Sequence, residues 1–175
     1  MAVPAFGPWT ADQVDDPQLH YRRRSAGLLI EAQRIGRLDR SVLGRIAAAQ
    51  RELEAALAAV GSPVLVHRDL NPHNLLGARS PSGTWSRTGI IDFESSGGGD
   101  PLEDLRWLAI AEPRHAVGEA FLHGYRSASP SRRFDTDRIR YHQLDLILDI
   151  ATWPRLADQS LAGRAAAAAE RLLTA

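Results

Sequence analysis

The chain has 175 residues, enough for one domain with a buried core, and its 21 basic and 21 acidic side chains cancel, which argues against a general nucleic-acid binder. Cysteine is absent and every basic residue is Arg, so thiol nucleophiles, disulfides, Schiff-base lysines and the Walker-type phosphate lysine are all excluded from this chain. No stretch is apolar for long enough to span a bilayer and the N-terminus lacks a signal-peptide pattern, so the expectation is a soluble cytoplasmic protein with no membrane or nucleic-acid partner.

Residues 1–17 read as an irregular lead-in broken by Pro4, Gly7, Pro8 and Pro17, with Phe6 and Trp9 expected to pack back on the body. The remainder, 18–175, reads as one domain. Gln18 to Ile35 is predicted helical, with Leu28, Leu29, Ala32 and Ile35 inward and Arg22 to Arg24 on a solvated face. A second helix begins after the cap Asp39, carries Val42, Leu43, Ile46, Leu53, Leu57 and Val60, and stops at Gly61 and Pro63.

The period then changes. Val64 to Val66 reads as a short buried strand and 85–91 as a second, the two set around a turn-rich segment as a small hairpin. Between them lies a dense polar string, His67 to Asn74. After the glycine-rich 95–99, Asp100-Pro101 opens a helix that ends before Pro113. Further helices are expected over 114–128, from Thr136 to Trp153, and over 156–173, with a loop at Pro130, Arg132 and Arg133. The fold class is therefore α+β and mainly helical.

Two strand ends carry the polar chemistry: His67, Asp69 and Asn74 follow the first, Asp92 and Glu94 the second. A rigid scaffold presents reactive groups at such ends. An aspartate and an asparagine five residues apart, with another aspartate after the next apolar strand, suit phosphoryl transfer. One carboxylate orients a hydroxyl and accepts its proton, while an amide oxygen and a second carboxylate form a hard-oxygen set suited to magnesium. Taken one at a time the residues have plainer readings. Asp69 is then a loop aspartate, Asn74 a turn cap, Asp92 a strand-end cap, His67 and His73 structural, and Arg68 a partner for a nearby acid.

The string HRDLNPHN at 67–74, IDFE at 91–94 and GDPLEDL at 99–105 resemble, in that order, the catalytic C-terminal lobe of the aminoglycoside phosphotransferase and choline kinase superfamily, which shares a framework with protein kinases. The resemblance runs from the helix at 39 to the one ending near 155. It implies a protein kinase-like C-lobe whose small β-hairpin carries the catalytic and metal motifs. It places Asp69 at the acceptor hydroxyl, with His67 and Arg68 in the catalytic string. It also places Asn74, Asp92 and Glu94 on the cofactor side, ATP with Mg2+, and Asn74 and Asp92 on the metal itself. Asp100 and Asp104 match the pair that braces the loop and the following helix. Arg68 departs from the glycine common in the antibiotic kinases, and Glu94 from the glycine of protein kinases.

The same resemblance implies what is not seen. The superfamily holds ATP between this lobe and a β-sheet lobe with a phosphate-covering loop and a lysine; the residues before His67 read as lead-in and helices without lysine. Gly97 to Gly99 follow the metal motif and so are not that covering loop. The expectation is a phosphotransferase-like lobe acting on a small hydroxyl acceptor. The alternative is an inert or partner-dependent binding lobe, as a homodimer or with a partner over the surface where the sheet lobe docks. A metal-dependent hydrolase built on Asp69, Asp92 and His67 is a third reading, and the sparse histidines argue against zinc for it. Asp137, Asp145, Asp149 and Asp158 are candidates for attracting a cationic acceptor, set against a salt-bridged reading with Arg138, Arg140 and Arg155.

Overall fold

The computed structural model describes residues 7–8, 15–110, 117–128, 134–153 and 159–174. The chain is a mainly helical α+β structure with small antiparallel strand pairs. The expected packing of Phe6 and Trp9, the loop at Pro130 to Arg133, Asp158, the end of the helix expected to stop before Pro113, and the first residues of the helices expected over 114–128 and 156–173 lie outside the described residues.

Helix α1 spans Pro17–Ile35. Asp16 caps it by accepting from the Leu19 amide at 3.1 Å, Pro17 sets the first turn, and Gly36 closes it in a left-handed conformation (φ 73°) that a side chain disfavours. Its buried face is His20, Tyr21, Ser25 and Ala32, with Leu28 and Leu29 only partly covered. Helix α2 covers Arg40–Leu53 and tightens into a 3-10 helix over Glu54–Ala59. Asp39 sits at its N-terminus without a side-chain cap bond, and Val60, not Gly61, ends the 3-10 turn. Helices α3 (Val117–Ala128), α4 (Thr136–Thr152) and α5 (Gln159–Thr174) complete the set. Helix α4 is the central element: Tyr141, Leu144, Ile147 and Leu148 are buried, and it packs against α1, α2 and α5.

The strands pair differently from the expectation. Strand β2 (Val64–Val66) pairs with β5 (Gly97–Gly99), and β1 (Gly7–Pro8) lies on the other edge of β5. The hairpin is instead β3 (Leu75–Arg79) with β4 (Trp85–Ile90), so the segment after the polar string is itself a strand. The glycine run is a buried strand, and at Gly99 no side chain fits: a Cβ there would come within 2.5 Å of Val66 Cγ2 and of Glu103 Oε2. The helix expected after Asp100 is a 3-10 helix over Glu103–Ala109.

Candidate active site

Strand β2 ends at Val66, and the chain turns sharply at Arg68, whose φ of 64° is left-handed. Asp104 accepts from both amides at this turn, His67 N at 3.1 Å and Arg68 N at 2.7 Å. The Arg68 carbonyl accepts from Arg106 Nε at 2.8 Å and Trp107 Nε1 at 3.3 Å. Asp69 follows, with both carboxylate oxygens oriented by neighbouring amides: Asn71 Nδ2 donates to Oδ1 at 2.9 Å and Asn74 Nδ2 to Oδ2 at 2.8 Å. Asn74 Nδ2 also donates to the Asp69 carbonyl at 2.8 Å. A 3-10 turn over Pro72–Asn74, capped by Asn71, brings Asn74 back to Asp69.

His67 works as a strut. Its Nε2–H donates to the Ile91 carbonyl at 2.8 Å and its Nδ1 accepts from the Asp69 amide at 3.3 Å, which fixes one neutral tautomer. Its ring also meets Phe93, centroids 4.6 Å apart. The Ile91 amide in turn donates to the Asn74 carbonyl at 3.1 Å. Ile91 is therefore tied on one side to His67 and on the other to Asn74, and Asp92 is the next residue. Through these bonds the structure brings His67, Asp69, Asn74 and Asp92 into one neighbourhood.

Asp92 is exposed, with φ 67° and ψ 58°, and makes no hydrogen bond or ion pair among the described residues; Glu94 is exposed on the following 3-10 turn. Asn74 spends its amide nitrogen on Asp69, so its oxygen is the polar atom left for a cation. A carboxylate plus an amide oxygen fits magnesium, which is held by few protein ligands and completes its shell with phosphate oxygens and water. Among the described residues no group of three or more His, Cys, Asp or Glu side chains is arranged to hold a metal, and Asn74 with Asp92 is a smaller set than that. A cavity of about 320 Å³ lined by Val64, Asp100, Asp135 and Arg138 does not include Asp69.

Residues 10–142 match the phosphotransferase enzyme family, APH. The chain belongs to that family. It is similar in fold to solved structures of aminoglycoside phosphotransferase APH(4)-Ia. One is a thermostable mutant in a ternary complex with AMP-PNP and hygromycin B (21% identity, TM-score 0.68), another is that enzyme's apo form (21%, 0.68), and a third is APH(4)-Ia itself (21%, 0.67). Each match covers 97% of this chain but only 55–56% of the other, so the chain spans about half the length of those structures. No curated protein matches the sequence.

Within this APH-family chain, the interior holds a network of ionic groups, part of it expected and part not. Arg68, which stands in the catalytic string, turns its guanidinium inward and pairs with an acid, as its plainer reading expects: Nε donates to Glu103 Oε1 at 3.0 Å and Nη2 to the Gly98 carbonyl at 2.7 Å. Arg24, expected on a solvated face, is mostly buried and pairs with Glu103 and with Asp145 at 3.0 Å. Asp145 is buried, and Asp149 faces Arg24 and Arg106, so these two aspartates are engaged internally and not displayed to an acceptor. Asp100 is fully buried. It accepts from the Leu102 amide at 3.1 Å and faces His142 at 3.0 Å and Arg138 at 3.3 Å, so it touches the next turn and α4 while Asp104 touches the loop.

The acid at the centre of this network, Glu103, was missed from sequence. It is 1% exposed and accepts from Tyr21 Oη at 3.0 Å as well as from the two arginines. Burial alone would raise its carboxyl, but the Arg68 and Arg24 guanidiniums overcome that and hold it well below the usual carboxylate range. For Asp104 burial wins, pushing its carboxyl up against the two backbone amides it accepts from. The signal for Glu103 was its position beside Asp104 in the GDPLEDL string, but its partners Tyr21 and Arg24 lie about eighty residues earlier, beyond any local pattern.

Proposed function

We propose that this chain transfers the γ-phosphoryl group of ATP to a hydroxyl of a small acceptor of the aminoglycoside, sugar or amino-alcohol kind. The observation that carries the reading is the Asp69 carboxylate, oriented by two side-chain amides and coupled through Asn74 and Ile91 to the free carboxylate of Asp92. Asp69 orients the acceptor hydroxyl and takes its proton as that oxygen bonds to phosphorus and the bond from the γ-phosphorus to the bridging oxygen breaks. Asn74 Oδ1 and the Asp92 carboxylate would hold Mg2+, which when bound supplies positive charge to the phosphate oxygens; Glu94 lies beside them in sequence. His67 and Asp104 keep the loop in register, and Asp100 steadies the turn behind it. The cytoplasm, where ATP is abundant, is the compartment this chemistry needs. The relative crystallised with hygromycin B supports an aminoglycoside-like acceptor, recognised by groups other than Asp145 and Asp149.

A second reading, a binding lobe that needs a partner or second copy for turnover, is favoured by one feature. Leu65, Leu76, Ile91 and Phe93, all close in sequence to the metal-side residues, are between 44% and 47% exposed. A protein partner or a second copy of the chain would cover them in this reading; no helix among the described residues is long and apolar enough to cross a membrane. Mass-resolved detection of phosphate transfer from ATP across a panel of hydroxyl compounds separates the readings. The first expects a product that Asp69→Asn abolishes, and unchanged turnover in that variant overturns it. Mg-ATP binding without transfer, together with a stable dimer, selects the second.

A further inference from the structure

We propose that Glu103 is a positioning residue: through the Arg68 side chain it holds the loop backbone in the left-handed turn that presents Asp69. The inference rests on the role given above to Asp69. A residue with a side chain disfavours φ of 64°, and Arg68 bears one of the longest. Its conformation is therefore imposed by what grips it. The backbone grip is Asp104 on the amide and Arg106 with Trp107 on the carbonyl. The side-chain grip is Glu103 on Nε and the Gly98 carbonyl on Nη2.

Glu103 is itself immobilised from elements distant in sequence. Tyr21 and Arg24 on α1 both donate to its carboxylate, and Arg24 is anchored in turn on Asp145 of α4. Gly99 adds an independent observation. A Cβ there would lie 2.5 Å from Glu103 Oε2, so the buried glycine strand leaves the room in which this carboxylate sits. The loop is thus keyed to α1 and α4 by one carboxylate, which grips Arg68, the residue before Asp69.

Amide exchange across 67–74, with 144–150 of α4 as internal reference, tests this on Arg68→Ala, Arg68→Asn and Arg68→Gly. Each variant leaves Glu103 paired with Arg24 and Tyr21, and the three differ in tolerance of a left-handed backbone. Arg68→Ala is expected to lose roughly tenfold protection in the loop, Arg68→Asn less, and Arg68→Gly to keep it, because glycine needs no grip to stay left-handed. Full protection in Arg68→Ala would overturn the proposal, since the backbone bonds would then suffice. Equal loss in Arg68→Ala and Arg68→Gly would overturn it too, since the lost contacts and not the turn would matter. If α4 also loses protection in all three, Tyr21→Phe and Glu103→Gln are read instead: a loss at 67–74 larger than that at 144–150 is expected, and equal loss in the two segments overturns the proposal. Exchange is measured without turnover, so failure of phosphate transfer would sink the proposed function and leave this test standing.

Discussion

The two sides of the candidate site are built by opposite means. The Asp69 side is fixed from within: its turn is gripped by Asp104, Arg106 and Trp107, and the Arg68 side chain is locked to a buried acid that α1 and α4 also hold. The Asp92 side is held more lightly, by bonds at Ile91, the His67–Phe93 ring contact and an Arg68 bond to the Ser95 carbonyl; its carboxylates are exposed, and Ile91 and Phe93 are about half open to solvent. A group that must meet a hydroxyl in one geometry gains from rigidity supplied by the protein. A group that must meet a polyphosphate and a cation gains from free ligand atoms and takes its order from what binds.

Four measurements strain this contrast, in descending size. Glu103→Ala leaves Arg68 and Arg24 without their shared buried partner and is expected to cost about 3–5 kcal/mol in denaturant unfolding; a cost below about 1 kcal/mol would show that the interior is not keyed to this acid. Acid is next. Burial holds His20 down at about 4 against an ordinary 6.5, so the unfolded chain takes up a proton first as pH falls. Stability is complete above pH 6.5 and declines towards pH 4, by about 3 kcal/mol from this group. The loss continues below pH 4.5 as the Glu103 carboxyl, held low in the fold, begins to protonate in the unfolded chain. His20→Gln should flatten the part between 6.5 and 4; an unchanged pH profile would remove His20 from the account.

Asp104→Ala comes third. It strands the amides of His67 and Arg68 and should cost about 2 kcal/mol, with loop exchange rising more than that of α4. Asp92→Asn is the smallest: asparagine tolerates the left-handed φ and no partner is lost, so stability should stay within about 0.5 kcal/mol. A larger loss there would mean that the exposed side is structurally committed after all.

The sequence made the helices legible because their apolar spacing, the Asp39 start and the proline stops are local signals, although the Asp16 cap reads as part of the lead-in; α1 and α4 lie where periodicity puts them. The three polar strings were legible because strand ends and short spacings survive without tertiary knowledge. Strand β5 was not, since three glycines carry no strand propensity and the requirement at Gly99 comes from Val66 and Glu103, which no local pattern links to it. The hairpin was misread because the segment between the polar string and 85–91 reads as turn-rich, whereas Leu75–Arg79 forms β3 and Leu76 is 46% exposed. Arg24 was taken for surface because a run of three arginines looks solvated; its acids come from residues 103, 145 and 149. Charge networks that join distant elements leave no local period to read.

Amide exchange at 67–74 and 91–95, with and without Mg2+ and a non-hydrolysable ATP analogue, tests the pairing of a finished side with a ligand-completed one most directly. Protection at 91–95 that requires both the cation and the nucleotide, and that disappears in Asp92→Asn while 67–74 is protected throughout, is the expected result. No change at 91–95 with millimolar ligands, or equal protection in Asp92→Asn, would contradict it.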